Sequence, residues 1–146
     1  MRFLLCAAAV LALDQFTKAL AERLVPPGAV RSVIPGLLQV RPAANFGAAF
    51  GLLPHRTELF IAVAVVALGL IVRYHRRLTA HGRAGRLGLT LAAGGALGNL
   101  LDRLRFGYVR DFFDVRGYPA IFNVADLAIV VGTALILLAL WREEAR

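Results

Sequence analysis

Four apolar runs near the length of a bilayer crossing limit how this chain can fold. Phe3–Leu24, Leu59–Val72, Leu87–Leu104 and Val124–Trp141 consist largely of Leu, Val, Ile, Ala and Gly. A hydrocarbon core of about 30 Å asks for about 20 helical residues. Leu59–Val72 is short for this and reaches across only with Glu58 and Tyr74 in the interfaces. Backbone amides in lipid have no water to bond, so such segments must be helical. Apolar residues make up 59% of the sequence, above the near-half usual for soluble domains. The expectation is an all-α integral membrane fold with four transmembrane helices, forming a single membrane-embedded domain over residues 1–146.

Met1–Leu13 has the pattern of a signal peptide, an Arg followed by an apolar run. Its continuation argues for a retained helix. Asp14-Gln15-Phe16-Thr17-Lys18 keeps the helical rhythm through Leu24, and no small-residue cleavage site closes the run. Cys6 follows bulky Leu5 with little chain before it, so it does not read as a lipid-attachment site. As the lone cysteine it offers neither a disulfide framework nor a thiolate metal site. Pro26-Pro27-Gly28 then ends the helix. Val30–Pro54 reads as loop, with Ser32–Ile34 and Leu37–Val40 suited to pair as small strands. Asn45–Gly51 forms a small-residue turn in which Asn45 reads first as a turn former.

The net charge of +8 comes almost wholly from Arg, with Lys18 the only lysine. Nucleic-acid binding is one reading of that balance, but basic loops beside apolar segments have a commoner cause in topology. Arg73, His75, Arg76, Arg77, His81, Arg83 and Arg86 lie between the second and third runs with no acidic residue among them. That stretch reads as a cytoplasmic loop, which places both termini in the cytoplasm and the other two loops outside. Trp141 and Arg142 suit the inner interface. His55, His75 and His81 lack ligand-like spacing, so no metal site is expected from them. Gly94 and Gly98 form a G-x-x-x-G pair that lets a neighbouring helix approach closely.

The polar residues share a depth. At about 1.5 Å per helical residue, Asp14 and Lys18 lie about 16 and 22 Å beyond Phe3, and Asn99 and Asp102 about 18 and 22 Å beyond Leu87. Asn123 and Asp126 enter the fourth segment from the same side, spaced i,i+3 on one face. Asp14 and Lys18, spaced i,i+4, are placed to pair, which serves a purely structural role equally well. Asp111 and Asp114 lie in the loop between, on one face if that loop is helical, with Asp114 free to pair with Arg116. Ionisable groups are costly in a membrane, so convergence from three helices points to a site near the outer face. Ser32 is the only serine, and Cys6 lies toward the opposite surface. Carboxylates and carboxamides therefore carry the chemistry. Two carboxyl groups sharing one proton can activate water with one member and protonate a leaving group with the other. The same aspartates could instead hold a cation.

Five blocks, in order, span nearly the whole chain: Asp14-Gln15-x-Thr17-Lys18, Asn45-x-Gly47-Ala48-Ala49-Phe50, Gly98-Asn99-Leu100-Leu101-Asp102-Arg103, Asp111-Phe112 and Phe122-Asn123-Val124-Ala125-Asp126. Together they resemble the signature blocks of lipoprotein signal peptidases, the bacterial signal peptidase II family of aspartyl intramembrane proteases. The resemblance implies a peptidase that removes signal peptides from diacylglyceryl-modified prolipoproteins, cutting on the amino side of the lipidated cysteine. It implies Asp111 and Asp126 as the catalytic pair, with Asn45, Asn99, Arg103 and Asn123 lining the site. Asp14, Lys18 and Asp102 match supporting positions. No cofactor and no nucleic-acid partner are implied. The partners are prolipoproteins and membrane lipids, and the location is the bacterial cytoplasmic (inner) membrane. Arg110 departs from the family's usual apolar residue before the first aspartate and reads as pointing to lipid headgroups. The loop Val30–Gly51 would cover the site and exclude bulk water.

Two rival classes accompany this reading. One is a small four-helix transporter or ion-binding subunit with Asp14, Lys18, Asp102 and Asp126 as a relay. The other is a noncatalytic assembly factor packed through the glycine-rich third segment.

Overall fold

The structure is a computed structural model in which residues 2–47, 53, 56–80 and 82–144 are described. His55, His81 and the end of the Asn45–Gly51 turn lie outside them. The helices are α1 (Arg2–Leu24), α2 (Thr57–Ala80), α3 (Gly82–Phe106) and α4 (Val124–Glu144). The strands are β1 (Arg31–Ile34), β2 (Leu38–Asn45), β3 (Val109–Val115) and β4 (Ile121–Phe122).

Three helical stretches are long and apolar enough to cross a membrane: Phe3–Leu24, Thr57–Ala80 and Val124–Arg142. The helix containing the expected third span, α3, matches them in length but carries Arg83, Arg86, Asn99, Asp102, Arg103 and Arg105. Its place in the fold explains Asn99 and Asp102. It packs against α1, α2 and α4, whereas α1 touches α4 only lightly and α2 packs chiefly on α3. Many of its neighbours are therefore protein, and Gly95, Gly98, Asn99 and Asp102 are buried among them. The sequence pattern also misplaces the end of α2. That helix continues past Val72 to Ala80, so Arg73, His75, Arg76 and Arg77 stand on a helix rather than in a loop. No Gly or Pro interrupts the stretch before Gly82, whose φ of 79° marks the break.

Glycines set how closely the helices approach. A Cβ on Gly94 would lie 2.6 Å from Val10 Cβ, and one on Gly98 2.5 Å from Asp14 Oδ2, so the G-x-x-x-G pair faces α1. On the side facing α4, a Cβ on Gly95 would strike the Ala125 carbonyl oxygen. These contacts bring the first turn of α4 and the middle of α1 against the same part of α3.

Pro26, Pro27 and Gly28 follow the end of α1 as expected, and the two short pieces beyond them pair as β1 and β2. β2 runs further than Val40, to Asn45, because β3 pairs along it. The four strands form one antiparallel sheet in sequential order. An irregularity between Val40 and Ala43 accommodates Pro42, which has no N–H to give a ladder. Strand β3 replaces the loop read around Asp111 and Asp114. Side chains alternate along a strand, so residues three apart face opposite ways rather than sharing a helical face.

Candidate functional site

The site forms where the sheet meets α1, α3 and α4. Asn123 immediately precedes α4 and caps it. Its Oδ1 accepts from Asp126 N at 2.9 Å, and Asp126 Oδ2 accepts from Asn123 N at 3.2 Å. This reciprocal arrangement satisfies two donors at the helix entrance and fixes the Asp126 carboxylate beside the first turn. The Asp126 Oδ1 accepts from Asn99 Nδ2 at 2.7 Å.

Asp111 arrives from β3, opposite Ala43 of β2. Its Oδ1 accepts from Asn123 Nδ2 at 2.6 Å and its Oδ2 from Asn45 Nδ2 at 2.8 Å. Asn45 is also the turn former, since its Oδ1 accepts from Gly47 N at 3.0 Å. The four carboxylate oxygens of Asp111 and Asp126 thus each receive an N–H donor, and Asn123 serves both residues. Burial, with only 3% of Asp111 exposed, and the negative charge of Asp126 push its pKa up to about 7. Both causes disfavour its ionised form, so a proton is available on this carboxyl near neutrality. A cavity of about 190 Å³, bordered by Lys18, Glu22, Ala43, Tyr108, Arg110 and Asp111, opens beside it.

Beneath the pair lies a buried charge network. Lys18 Nζ sits 2.8 Å from Asp14 Oδ2 and 3.1 Å from Asp102 Oδ2, and it donates to Asn99 Oδ1 at 3.0 Å. Asp14, Lys18 and Asp102 are fully buried. Asp14 Oδ1 accepts from Ala125 N at 2.9 Å, tying α1 to the entrance of α4. Asn99, by holding Asp126 while accepting from Lys18, connects this network to the aspartate pair.

Arg103 stands apart from this network. It donates to the Gly47 carbonyl at 3.1 Å and lies 5.1 Å over the Phe60 ring, within electrostatic reach of Asp111 and Asp126.

The sequence reading missed three participants. Arg110 does not point to headgroups. It is 8% exposed, donates to Asp102 Oδ1 at 2.9 Å and Gln15 Oε1 at 3.0 Å, and pairs with Glu22 Oε2 at 3.1 Å. Burial works against the guanidinium charge, but Asp102 and Glu22 outweigh it and raise its pKa above the ordinary value. Gln15 in turn donates to Asp102 Oδ1 at 3.0 Å and to the Gly98 carbonyl at 3.2 Å. A signal was present: Asp14, Lys18 and Glu22 repeat at i, i+4 and i+8 on one helical face. Asp114 also departs from expectation, pairing with Arg41 at 2.9 Å rather than with Arg116.

This geometry is that of one buried and one half-buried carboxyl group, held by amides, at the end of a helical bundle. The family model for signal peptidase II matches residues 6–142. This chain belongs to the signal peptidase II family. It is 45% identical over 136 residues to the lipoprotein signal peptidase of Moorella thermoacetica, covering 93% of this chain and 90% of that one. With the lipoprotein signal peptidase of Halothermothrix orenii it shares 41% identity over 135 residues, covering 92% of each. A bacterial membrane enzyme solved in meso at 2.3 Å superposes with a TM-score of 0.89 at 32% identity, covering 98% of this chain and 89% of that one. A second such enzyme, solved at 1.9 Å, gives a TM-score of 0.82 at 31% identity, covering 95% and 92%. A signal peptidase II is an aspartic protease of the bacterial membrane, and the apolar helices fit that setting. The transporter reading finds no support in these relatives.

Proposed function

We propose that Asp111 and Asp126 are the catalytic pair with which this signal peptidase II removes signal peptides from prolipoproteins. The observation that carries the reading is Asn123, whose side chain and backbone hold the two carboxylates together from β3 and α4. In the reacting state one carboxyl is ionised and takes a proton from the attacking water. The other is protonated and delivers its proton to the departing amine. The raised pKa of Asp111 supports it as the proton donor. Asn45, Asn99 and Asn123 orient the pair, Arg103 lies where it can bond a peptide carbonyl, and Asp14, Lys18 and Asp102 support the frame beneath.

The chain acts as one membrane-embedded domain, with α3 as the fourth crossing. Asn99 and Asp102 are tolerated because they face protein partners, and Arg83, Arg86 and Arg105 lie toward the two ends of the helix. Arg73–Arg86 lies on the cytoplasmic side of the inner membrane together with both termini, and the sheet and aspartate pair lie near the outer face. The substrate is a prolipoprotein whose cysteine carries diacylglycerol, cut on the amino side of that cysteine. Its extended peptide lies at the sheet while the acyl chains remain in lipid, and the β1–β2 hairpin limits entry of bulk water.

The test is incubation of purified protein with a diacylglyceryl-modified prolipoprotein and with the same chain lacking the lipid. A shortened product is expected, formed much faster from the modified chain. No product from either would refute the activity, and equal rates would detach it from lipid recognition.

A further inference from the structure

At the end of the bundle away from the aspartates, the arginines of α2 and α3 surround two cavities. One, of about 620 Å³, is bordered by Phe3, His75, Arg76, Arg83, Arg86 and Leu87. The other, of about 640 Å³, shares Phe3, His75 and Arg76 and adds Val72, Arg73 and Arg77. Both volumes fall in the range of about 300–1,000 Å³ typical of small-ligand sites. Leu87, at this end of α3, lies about 18 Å along the helix from Asn99, so these cavities are separate from the site described above.

Three observations converge on one kind of occupant. First, the charge is uncompensated. Among the described residues, Arg73, Arg76, Arg77, Arg83 and Arg86 form no ion pair with a carboxylate. At the other end, among the described residues, Lys18, Arg41 and Arg110 each sit on one, and Arg31, Arg103, Arg105 and Arg116 do not. Second, a buried polar atom is orphaned. His75 Nε2 is shielded from solvent without a hydrogen-bond partner, while its ring packs edge-on against Phe3 at 4.6 Å. A buried polar group without a partner is uncommon and costly. Third, the cavities are amphipathic. Their walls include Phe3, Leu4, Val72 and Leu87, of which Leu4 is 68% and Val72 76% exposed. They open where α1 and α2, each packed on α3, do not pack along one another.

The geometry points to a binding site for an acidic glycerophospholipid at the arginine-rich end of the α1–α2 cleft. Its phosphate is held by Arg76 with Arg83 and Arg86, a turn of the His75 ring brings the shielded Nε2 to a phosphate oxygen, and the acyl chains run along the exposed apolar faces of α1 and α2. A soluble anion would satisfy the guanidinium groups but leave the apolar walls uncovered. A zwitterionic lipid would cover the walls but bring its own cation to the arginines. Basic pockets between membrane helices recognise acidic headgroups in this way.

Native mass spectrometry of the purified full-length protein, released from micelles containing equal phosphatidylglycerol and phosphatidylcholine, tests the assignment. Retention of phosphatidylglycerol at least tenfold above phosphatidylcholine is expected. Arg76→Gln combined with Arg83→Gln should bring the two to parity, whereas Arg31→Gln with Arg116→Gln, at the other end, should keep the preference. Added inorganic phosphate should not displace the lipid; displacement at millimolar phosphate would make this a free-anion site and overturn the proposal. Equal retention of both lipids by the unaltered protein would also overturn it, leaving the arginines only a role in topology. Should the double variant fold poorly, thermal unfolding of the unaltered protein with each lipid decides. A ligand that binds only the folded state raises the midpoint, so phosphatidylglycerol should raise it above phosphatidylcholine, and equal midpoints would count against the site.

Discussion

Asn123 Nδ2 donates to Asp111 Oδ1 at 2.6 Å, across the junction between the sheet and α4. Because Asn123 also caps the helix that carries Asp126, one residue sets the position of both carboxylates. A shift of β3 relative to α4 would break this bond before it altered either element internally.

The alternation of β3 separates Asp111 from Asp114. Asp111 is buried against Asn45 and Asn123, whereas Asp114 forms a partly exposed pair with Arg41. Asp111→Asn should lower turnover by at least about a hundredfold, since an amide cannot exchange the required proton. Asp114→Asn should keep most activity and lose less than about 1 kcal/mol of stability, as expected for an exposed pair. Cleavage assays beside thermal unfolding check both; an inactive 114 variant beside an active 111 variant would move the reacting group to Asp114.

The titration of Asp111 should report on Asp126. Burial and the Asp126 charge together raise the Asp111 pKa to about 7. Asp126→Asn removes the second cause and leaves the first, larger one. The Asp111 pKa should therefore fall, yet remain above the ordinary 3.8. Carboxyl carbon NMR of labelled aspartate measures it, and an unchanged value would show that the two groups are not coupled.

Lys18 neutralises a buried cluster, and its loss should cost stability out of proportion to one side chain. Lys18→Met leaves Asp14 without its cation and Asp102 with Arg110 alone. Removing one partner from a buried pair typically destabilises by about 3–5 kcal/mol. Adding Asp14→Asn to Lys18→Met should recover part of the loss, because it removes the stranded charge. Additive losses in a double-mutant cycle would argue against coupling.

Orientation is open to labelling in whole cells. In a Cys6→Ser background, an impermeant thiol reagent should modify Arg116→Cys from outside and reach Arg77→Cys only after the membrane is opened. The reverse pattern would invert the topology and put the aspartate pair on the cytoplasmic side.

Sequence alone determined the apolar segments, the stop after α1, the β1–β2 pieces and the blocks bearing Asp14, Asn45, Asn99, Asp111 and Asp126. These are readable because helical period, turn chemistry and motif spacing are local properties. Tertiary structure decided the rest. α2 runs on to Ala80 because polar residues extend a helix where nothing breaks it, and hydropathy cannot see that continuation. β3 exists through pairing with β2, so the opposite facing of Asp111 and Asp114 depends on residues some seventy positions earlier. Arg110 beside an interface reads as a headgroup ligand, yet Asp102, Gln15 and Glu22 from two other elements draw it inward. A charge takes the partner that packing brings within reach, and that partner is set by the fold rather than by the neighbours in the chain.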